Sequence, residues 1–462
     1  MTTAQAYEYA RERYAAIGVD TEAAIAKVLA TPVSVHCWQG DDVRGFEALD
    51  TGLTGGIMST GEYPGRARTP DELRADLDQA LSLIPGTSKV NIHAFYRESD
   101  RAVERNVLEP EHFTAWADWA VERGIGLDFN PSFFSHPKSA SGYTLASADD
   151  GIRRFWIEHG LASRKIGAYL GRRTGKRCVN NLWIPDGCKE RPIDSLAPRM
   201  RLLEALNEIY APKYCPNCLK DSVESKLFGI GSEAYVVGSH EFYLGYTAQH
   251  PDVMLTLDTG HFHPTELVSA KLTACLPFLP ELLLHVSRPI RWDSDHVVAF
   301  DDELSAIFHE IVRAGALDRV NIALDYFDGS VNRVAAWVIG TRNTKKALLA
   351  ALLEPVDDLK AAELAGDTTA RLALTEEYKT FPFGIVWDML CEREGMPGGA
   401  EWLGAVRSYE AAVAAQRTYR GTYSWLILSG GRFPPPRTPQ GFFLCASKER
   451  SKESWLRETS FP

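Results

Sequence analysis

Short runs of β-branched, leucine and aromatic residues recur along the first two thirds of the chain. They are separated by longer stretches in which apolar positions return near every 3.6 residues. The runs fall at 33–38, 89–95, 126–132, 180–186, 222–228, 253–258, 282–288 and 320–326. This alternation predicts strands joined by helices, and each repeat is long enough for a right-handed crossover between parallel strands. Eight such units in about 300 residues favour a (β/α)8 barrel over an open, doubly wound sheet.

Start signals support the helices. Thr69-Pro-Asp-Glu72 supplies a cap, a first-turn proline and early acids for a helix over 71–84. Asp301-Asp-Glu-Leu304 opens another, running to about Val312, while 111–123 and 149–170 carry helical spacing. From about residue 335 the pattern is helical only, at 337–353, 357–365, 368–378 and 401–417. The expected organisation is a barrel over 1–334 that includes an N-terminal helix, then a helical extension over 335–418. Residues 419–462 follow as a tail. Phe433-Pro-Pro-Pro-Arg-Thr-Pro439 can continue neither a helix nor a central strand, and 447–454 is a solvated charge run, so this tail is expected to be disordered.

Composition narrows the function classes. With 45% hydrophobic and 24% charged residues in 462, the chain has the balance of a soluble globular protein with a sizeable core. Its net charge of −11 opposes binding driven by phosphate neutralisation, so no nucleic-acid partner is expected. No apolar run approaches the roughly 18 residues of a membrane helix, and the N-terminus lacks the basic and apolar regions of a signal peptide. Eight scattered cysteines without a secretion signal read as reduced thiols of a cytoplasmic protein. Cys215-Pro-Asn-Cys218 has the spacing of half a zinc site or of a redox motif. Without a second CxxC or a histidine pair, it reads as two loop thiols.

The candidate chemistry lies where a barrel keeps it, at the C-terminal ends of strands and in the loops beyond. His93, Asp128, Asn130, Trp183, Asp186, Glu224, Lys226, Asp258, His285 and Asp325 all fall in the strand runs. Buried ionisable groups are costly unless paired or metal-bound, so the set as a whole calls for a site. Glu224, Asp258, His285 and Asp325 come one each from successive strands and can converge across the mouth. Three carboxylates and an imidazole suit Mn2+ or Mg2+ better than a thiophilic ion. His261, Asp293 and Asp295 form a second set that leaves positions open for water and substrate. His263 competes with His261 as a ligand. Lys226, two residues after Glu224, points the same way in an extended strand and can polarise a carbonyl or offset anionic charge. Trp38, Trp183 and Phe327 at strand ends can wall a sugar pocket.

Several stretches resemble bacterial L-rhamnose isomerase. They are Val33-Ser-Val-His-Cys-Trp-Gln-Gly-Asp-Asp42, Leu53-Thr-Gly-Gly-Ile57, Leu127-Asp-Phe-Asn-Pro-Ser132, Trp183-Ile-Pro-Asp-Gly187, Val223-Glu-Ser-Lys-Leu-Phe-Gly-Ile-Gly231, Gly260-His-Phe-His-Pro-Thr-Glu266 and 285–296. The similarity runs from near residue 1 to about Arg417, and the tail has no counterpart in it. The resemblance implies a cytoplasmic, homotetrameric TIM-barrel aldose–ketose isomerase acting on a small sugar with two divalent ions. These are typically Mn2+, with Mg2+, Co2+ or Zn2+ as alternatives. It implies a structural metal on Glu224, Asp258, His285 and Asp325 and a catalytic metal on His261, Asp293 and Asp295, and so selects His261 over His263. It further implies an apolar pocket for the C6 methyl from Leu53, Ile57, Phe95, Tyr96 and Phe327, with Trp38, His93 and Trp183 also at the sugar.

The expected chemistry is a metal-assisted 1,2-hydride shift. Lys226 lies near O1, water beside Asp293 and Asp295 shuttles the oxygen-bound proton, and Asp325 completes the catalytic group. A proton-transfer route through an ene-diol is the rival. A two-metal hydrolase or endonuclease on the same barrel, an isomerase of another rare aldose and a non-catalytic sugar-binding barrel are the other readings. The acidic balance opposes a nuclease, and seven filled ligand positions oppose a barrel that has lost its chemistry.

Overall fold

The computed structural model describes residues 2–37, 45–47, 63–226, 234–291 and 293–417. Trp38, Leu53 and Ile57 lie outside the described residues, as does the expected tail over 419–462.

Eight parallel strands close into a barrel: β1 (Val33–His36), β2 (Ser88–His93), β3 (Gly126–Asn130), β4 (Cys178–Trp183), β5 (Leu219–Glu224), β6 (Val253–Asp258), β7 (Leu282–Val286) and β8 (Val320–Leu324). Each pairs with its neighbours in chain order, and β8 returns to β1 with Val33 opposite Ile322. Strands covered on both faces need apolar residues at consecutive positions. β6 (Val-Met-Leu-Thr-Leu-Asp) and β7 (Leu-Leu-Leu-His-Val) are accordingly buried throughout.

All eight strands lie where the sequence pattern predicts, but two are displaced towards the N-terminus. β4 spans 178–183 rather than 180–186, because Pro185 has no N–H for the ladder and Asp186 turns aside to accept from Thr144 and Ala146. β5 begins at Leu219 rather than Ser222. Lys220 and Asp221 hide its start, yet Asp221 is buried in the strand against Arg164 of the helix Asp150–Thr174, with Nε at 3.0 Å. Lys226 therefore stands beyond the strand, where its N–H donates to the Gly238 carbonyl at 3.1 Å.

The capped helices form as expected. Thr69 accepts from Glu72 N–H at the start of Pro70–Leu81, Asp149 from Ile152 N–H at Asp150–Thr174, and Asp301 from Leu304 N–H at Asp302–Arg313. The helices Leu196–Tyr210, His240–Gln249, Val268–Cys275 and Phe383–Arg393 were not legible in the pattern. Phe383–Arg393 carries apolar residues on most sides, which erases the 3.6-residue alternation. The helix Arg333–Leu352 follows β8 and packs against Pro70–Leu81 and Asp302–Arg313. Its buried Arg342 donates to the carbonyls of Leu83, Pro397 and Gly398, tying the barrel to the helices that follow.

Candidate active site

The barrel's register sets the site residues at one level. Asp258 ends β6 directly opposite His285 of β7, and Glu224 ends β5 opposite Trp183 of β4. Paired residues in parallel strands project to the same side, so these side chains meet at the C-terminal mouth. Asp325 follows β8, with its N–H on the Val286 carbonyl at 3.1 Å.

His285 is the centre of the first set. Its Nδ1 lies 3.3 Å from Glu224 Oε1, 3.5 Å from Asp325 Oδ2 and 3.8 Å from Asp258 Oδ2. One ligand atom from each of Glu224, Asp258, His285 and Asp325 falls within 4.8 Å of all the others. The set expected from successive strands is thus assembled. Behind it, Thr256 donates to Asn181 Oδ1 at 2.7 Å and Asn181 donates to Glu224 Oε2 at 2.5 Å, fixing the glutamate.

Of the second set, His261 and Asp293 are brought together. His261 Nε2 lies 3.2 Å from Asp293 Oδ2, and its Nδ1 faces Glu224 Oε1 at the same distance. The third member grouped with His261 and Asp293 is Asp258, not Asp295. Asp258 therefore belongs to both sets. Gly260 is the reason Asp293 can approach: a Cβ there would lie 2.1 Å from Asp293 Oδ1. Asp295 stands beside this group with a left-handed backbone (φ 47), and its carbonyl accepts from Phe327 N–H at 3.0 Å.

Five carboxylates in one mouth place strong electrostatic demands on it. Burial, followed by the charges of Asp293, Asp325 and Asp258, holds Asp295 well above the usual carboxylate range. Burial and the charges of Glu224 and Asp293 do the same for Asp258. Burial alone would depress His285 and His261, but the surrounding carboxylates outweigh it and hold both well above the ordinary imidazole range. Those two imidazoles in turn outweigh the burial of Glu224 and keep it well below. His285 Nε2 and Asp293 Oδ1 are buried without a hydrogen-bond partner. The lone pairs of the clustered carboxylates, the orphaned Asp293 Oδ1 among them, fit divalent cations.

Around the metal-ligand array, Lys226 is buried and its ammonium donates to the Pro185 carbonyl at 2.9 Å. Neighbouring Asp186 is held at about 6 by burial, which three hydrogen bonds from Thr144 and Ala146 only partly offset. His93 Nε2 pairs with the Asn130 amide at 2.9 Å, and burial takes it down to about 3, so it is neutral. Its ring stacks on Phe95, and Phe134 joins Phe95 to Trp183 edge-on. Phe95 and Tyr96 are fully buried in the turn after β2, while Phe327 is half-buried after β8.

Two sequence candidates point elsewhere. Asp128 takes the Lys89 ammonium at 2.6 Å and lines a cavity with Lys27, Asn321 and Ile322 near the strand starts. His263 is exposed and bonds Thr265. Conversely, buried His36 on β1 escaped notice. It packs edge-on against Tyr326, and burial lowers it to about 3.

The family model of L-rhamnose isomerase (RhaA) matches residues 1–417. The chain belongs to the L-rhamnose isomerase family. L-rhamnose isomerase of Escherichia fergusonii is 58% identical over 413 residues, covering 89% of this chain and 98% of its own. That of Citrobacter koseri is 57% identical over 414 residues, covering 90% and 99%. Among solved structures, D-psicose 3-epimerase of Clostridium cellulolyticum H10 superposes with a TM-score of 0.41 at 15% identity, covering 63% of this chain and 94% of its own. That likeness is too loose to bear on function. The match to the L-rhamnose isomerase family covers both ligand sets and ends at Arg417.

Proposed function

We propose that the chain interconverts L-rhamnose and L-rhamnulose at the barrel mouth, as an aldose–ketose isomerase. The observation that carries this reading is the pair of ligand sets joined through Asp258, within a chain that matches the L-rhamnose isomerase family along the whole barrel. Moving a carbonyl from C1 to C2 requires one hydrogen to change carbons and one proton to change oxygens.

Divalent ions on the two sets, with Mn2+ favoured by oxygen-rich donors that include imidazole, would polarise the carbonyl and stabilise charge on the sugar oxygens. Lys226, anchored by the Pro185 carbonyl, hydrogen-bonds near O1. Asp293 and Asp295 move the oxygen-bound proton, a role that the upward shift of the Asp295 carboxyl by burial and neighbouring charge favours. Asp325 keeps His285 oriented within the first set. The C2 hydrogen passes to C1 as a hydride inside the sugar. Neutral His93 bonds a sugar hydroxyl, while Trp38, Trp183 and the apolar group Leu53, Ile57, Phe95, Tyr96 and Phe327 enclose the ring and the C6 methyl.

The test is NMR of L-rhamnose with EDTA-stripped protein in deuterated water, before and after adding Mn2+. Ketose is expected only after Mn2+, with little solvent deuterium on the transferred position. Absence of metal-restored ketose overturns the assignment, and extensive deuterium replaces the hydride shift with the ene-diol route.

A cytoplasmic homotetramer is part of the same proposal. Among the described residues no helix is long and apolar enough to cross a membrane. The helix Thr368–Tyr378 buries none of its residues within one chain, and Leu364 and Leu372 are 89% and 62% exposed beside it and on it. These apolar residues suit contact with a second copy. A monomeric mass by light scattering would remove this part.

A further inference from the structure

The CxxC motif takes no part in the isomerase site. Cys215-Pro-Asn-Cys218 forms a tight turn immediately before β5, with Cys218 N–H donating to the Cys215 carbonyl at 2.9 Å and Leu219 N–H to the same oxygen at 3.0 Å. Pro216 presets the turn at its second position. One end is fixed: Cys178 N–H donates to the Cys218 carbonyl at 2.9 Å, and Gly171 lets the long helix approach so closely that a Cβ there would lie 1.9 Å from that oxygen. Cys215 is exposed and Cys218 half-buried.

We propose that Cys215 and Cys218 form a thiol–disulfide exchange pair that reacts with small disulfides of the glutathione class, Cys215 attacking and Cys218 resolving. The turn brings the two α-carbons within about 7 Å, the span that a disulfide bridges. The two thiols are also chemically unequal. Hydrogen bonds from the Asn217 N–H, the Cys218 thiol and the Cys218 N–H lower the Cys215 thiol, while partial burial and the neighbouring Cys215 raise Cys218. A lowered, exposed thiol beside a second thiol is the arrangement that favours exchange. The other described cysteines are not so placed. Cys37, Cys178, Cys275 and Cys391 are buried, and Cys188 is occupied with the Glu190 carbonyl at 2.8 Å.

In the first step the Cys215 thiolate attacks one sulfur of glutathione disulfide, forming a mixed disulfide and releasing one glutathione thiolate. Cys218 then loses its proton, attacks the Cys215 sulfur and releases the second glutathione. The protein dithiol is oxidised and one external disulfide is reduced to two thiols. The turn precedes β5 and Glu224 ends it, six residues on at about 3.3 Å each, so the exchange takes place about 20 Å from Glu224.

The test treats the metal-loaded full chain with glutathione disulfide, blocks free thiols with iodoacetamide and reads the Cys215–Cys218 peptide by mass spectrometry. The wild type is expected to lose two hydrogens there and take up no iodoacetamide, with dithiothreitol restoring both thiols. Cys218→Ser is expected to hold one glutathione on Cys215, and Cys215→Ser to hold none on Cys218. A wild-type peptide that remains fully alkylated, keeps the glutathione adduct or links to a cysteine elsewhere overturns the proposal.

Discussion

Asp258→Asn is expected to strip both metal ions from the protein and to lower isomerisation of L-rhamnose by more than about 100-fold, the upper end of what losing even an outer-shell partner costs a metal site. Among the described residues, Asp258 is the one grouped with both ligand sets. Its side chain also accepts the Gly260 N–H at 2.6 Å, a bond that an asparagine oxygen can still accept. The substitution thus removes charge from both sets without removing the backbone anchor, and the barrel should persist. Elemental analysis of the purified variant, read beside its turnover, checks this. A variant that keeps two equivalents of metal would remove Asp258 from its shared place.

Gly260→Ala carries the second large effect. The new methyl would sit 2.1 Å from Asp293 Oδ1 and 3.3 Å from Asp258 Oδ1, so the Asp293 carboxylate must leave its present place beside His261 Nε2. Misplacing a reacting group by about 1 Å costs on the order of 100-fold in rate, whereas inserting a methyl at a packed position costs about 1–3 kcal/mol of stability. Turnover should therefore collapse while the fold survives. Metal loss should be confined to the second set, leaving one equivalent on Glu224, His285, Asp325 and the remaining oxygen of Asp258. A variant with wild-type turnover and two equivalents would show that Asp293 does not need its present place.

The two variants mark the limit of what the sequence reveals. Strand existence was legible because fully covered parallel strands write long apolar runs, as Leu282–Val286 does. Strand bounds were not legible at β5, where buried Asp221 looks like surface until Arg164 is placed beside it. Of the clustered groups, Glu224, Asp258, His285 and Asp325 could be read from strand ends alone, and the family resemblance separated clustered His261 from exposed His263. That Asp258 also groups with His261 and Asp293 could not be read, because it depends on how far the loop after β7 folds back over Gly260. Nor could the chain from Thr256 through Asn181 to Glu224, since neutral polar residues inside strands carry no signal until the barrel closes. Asp128 shows the converse: a carboxylate with the right sequence setting is taken by Lys89.

On the proposed reading, isomerisation requires both ligand sets at the barrel mouth. The most direct test adds Mn2+ stepwise to EDTA-stripped full-length protein and measures initial turnover of L-rhamnose at each equivalent per chain. Little activity is expected through the first equivalent, and a steep rise as the second binds. Full turnover at one equivalent or fewer, or turnover that ignores Mn2+, would contradict a two-metal site built around Asp258.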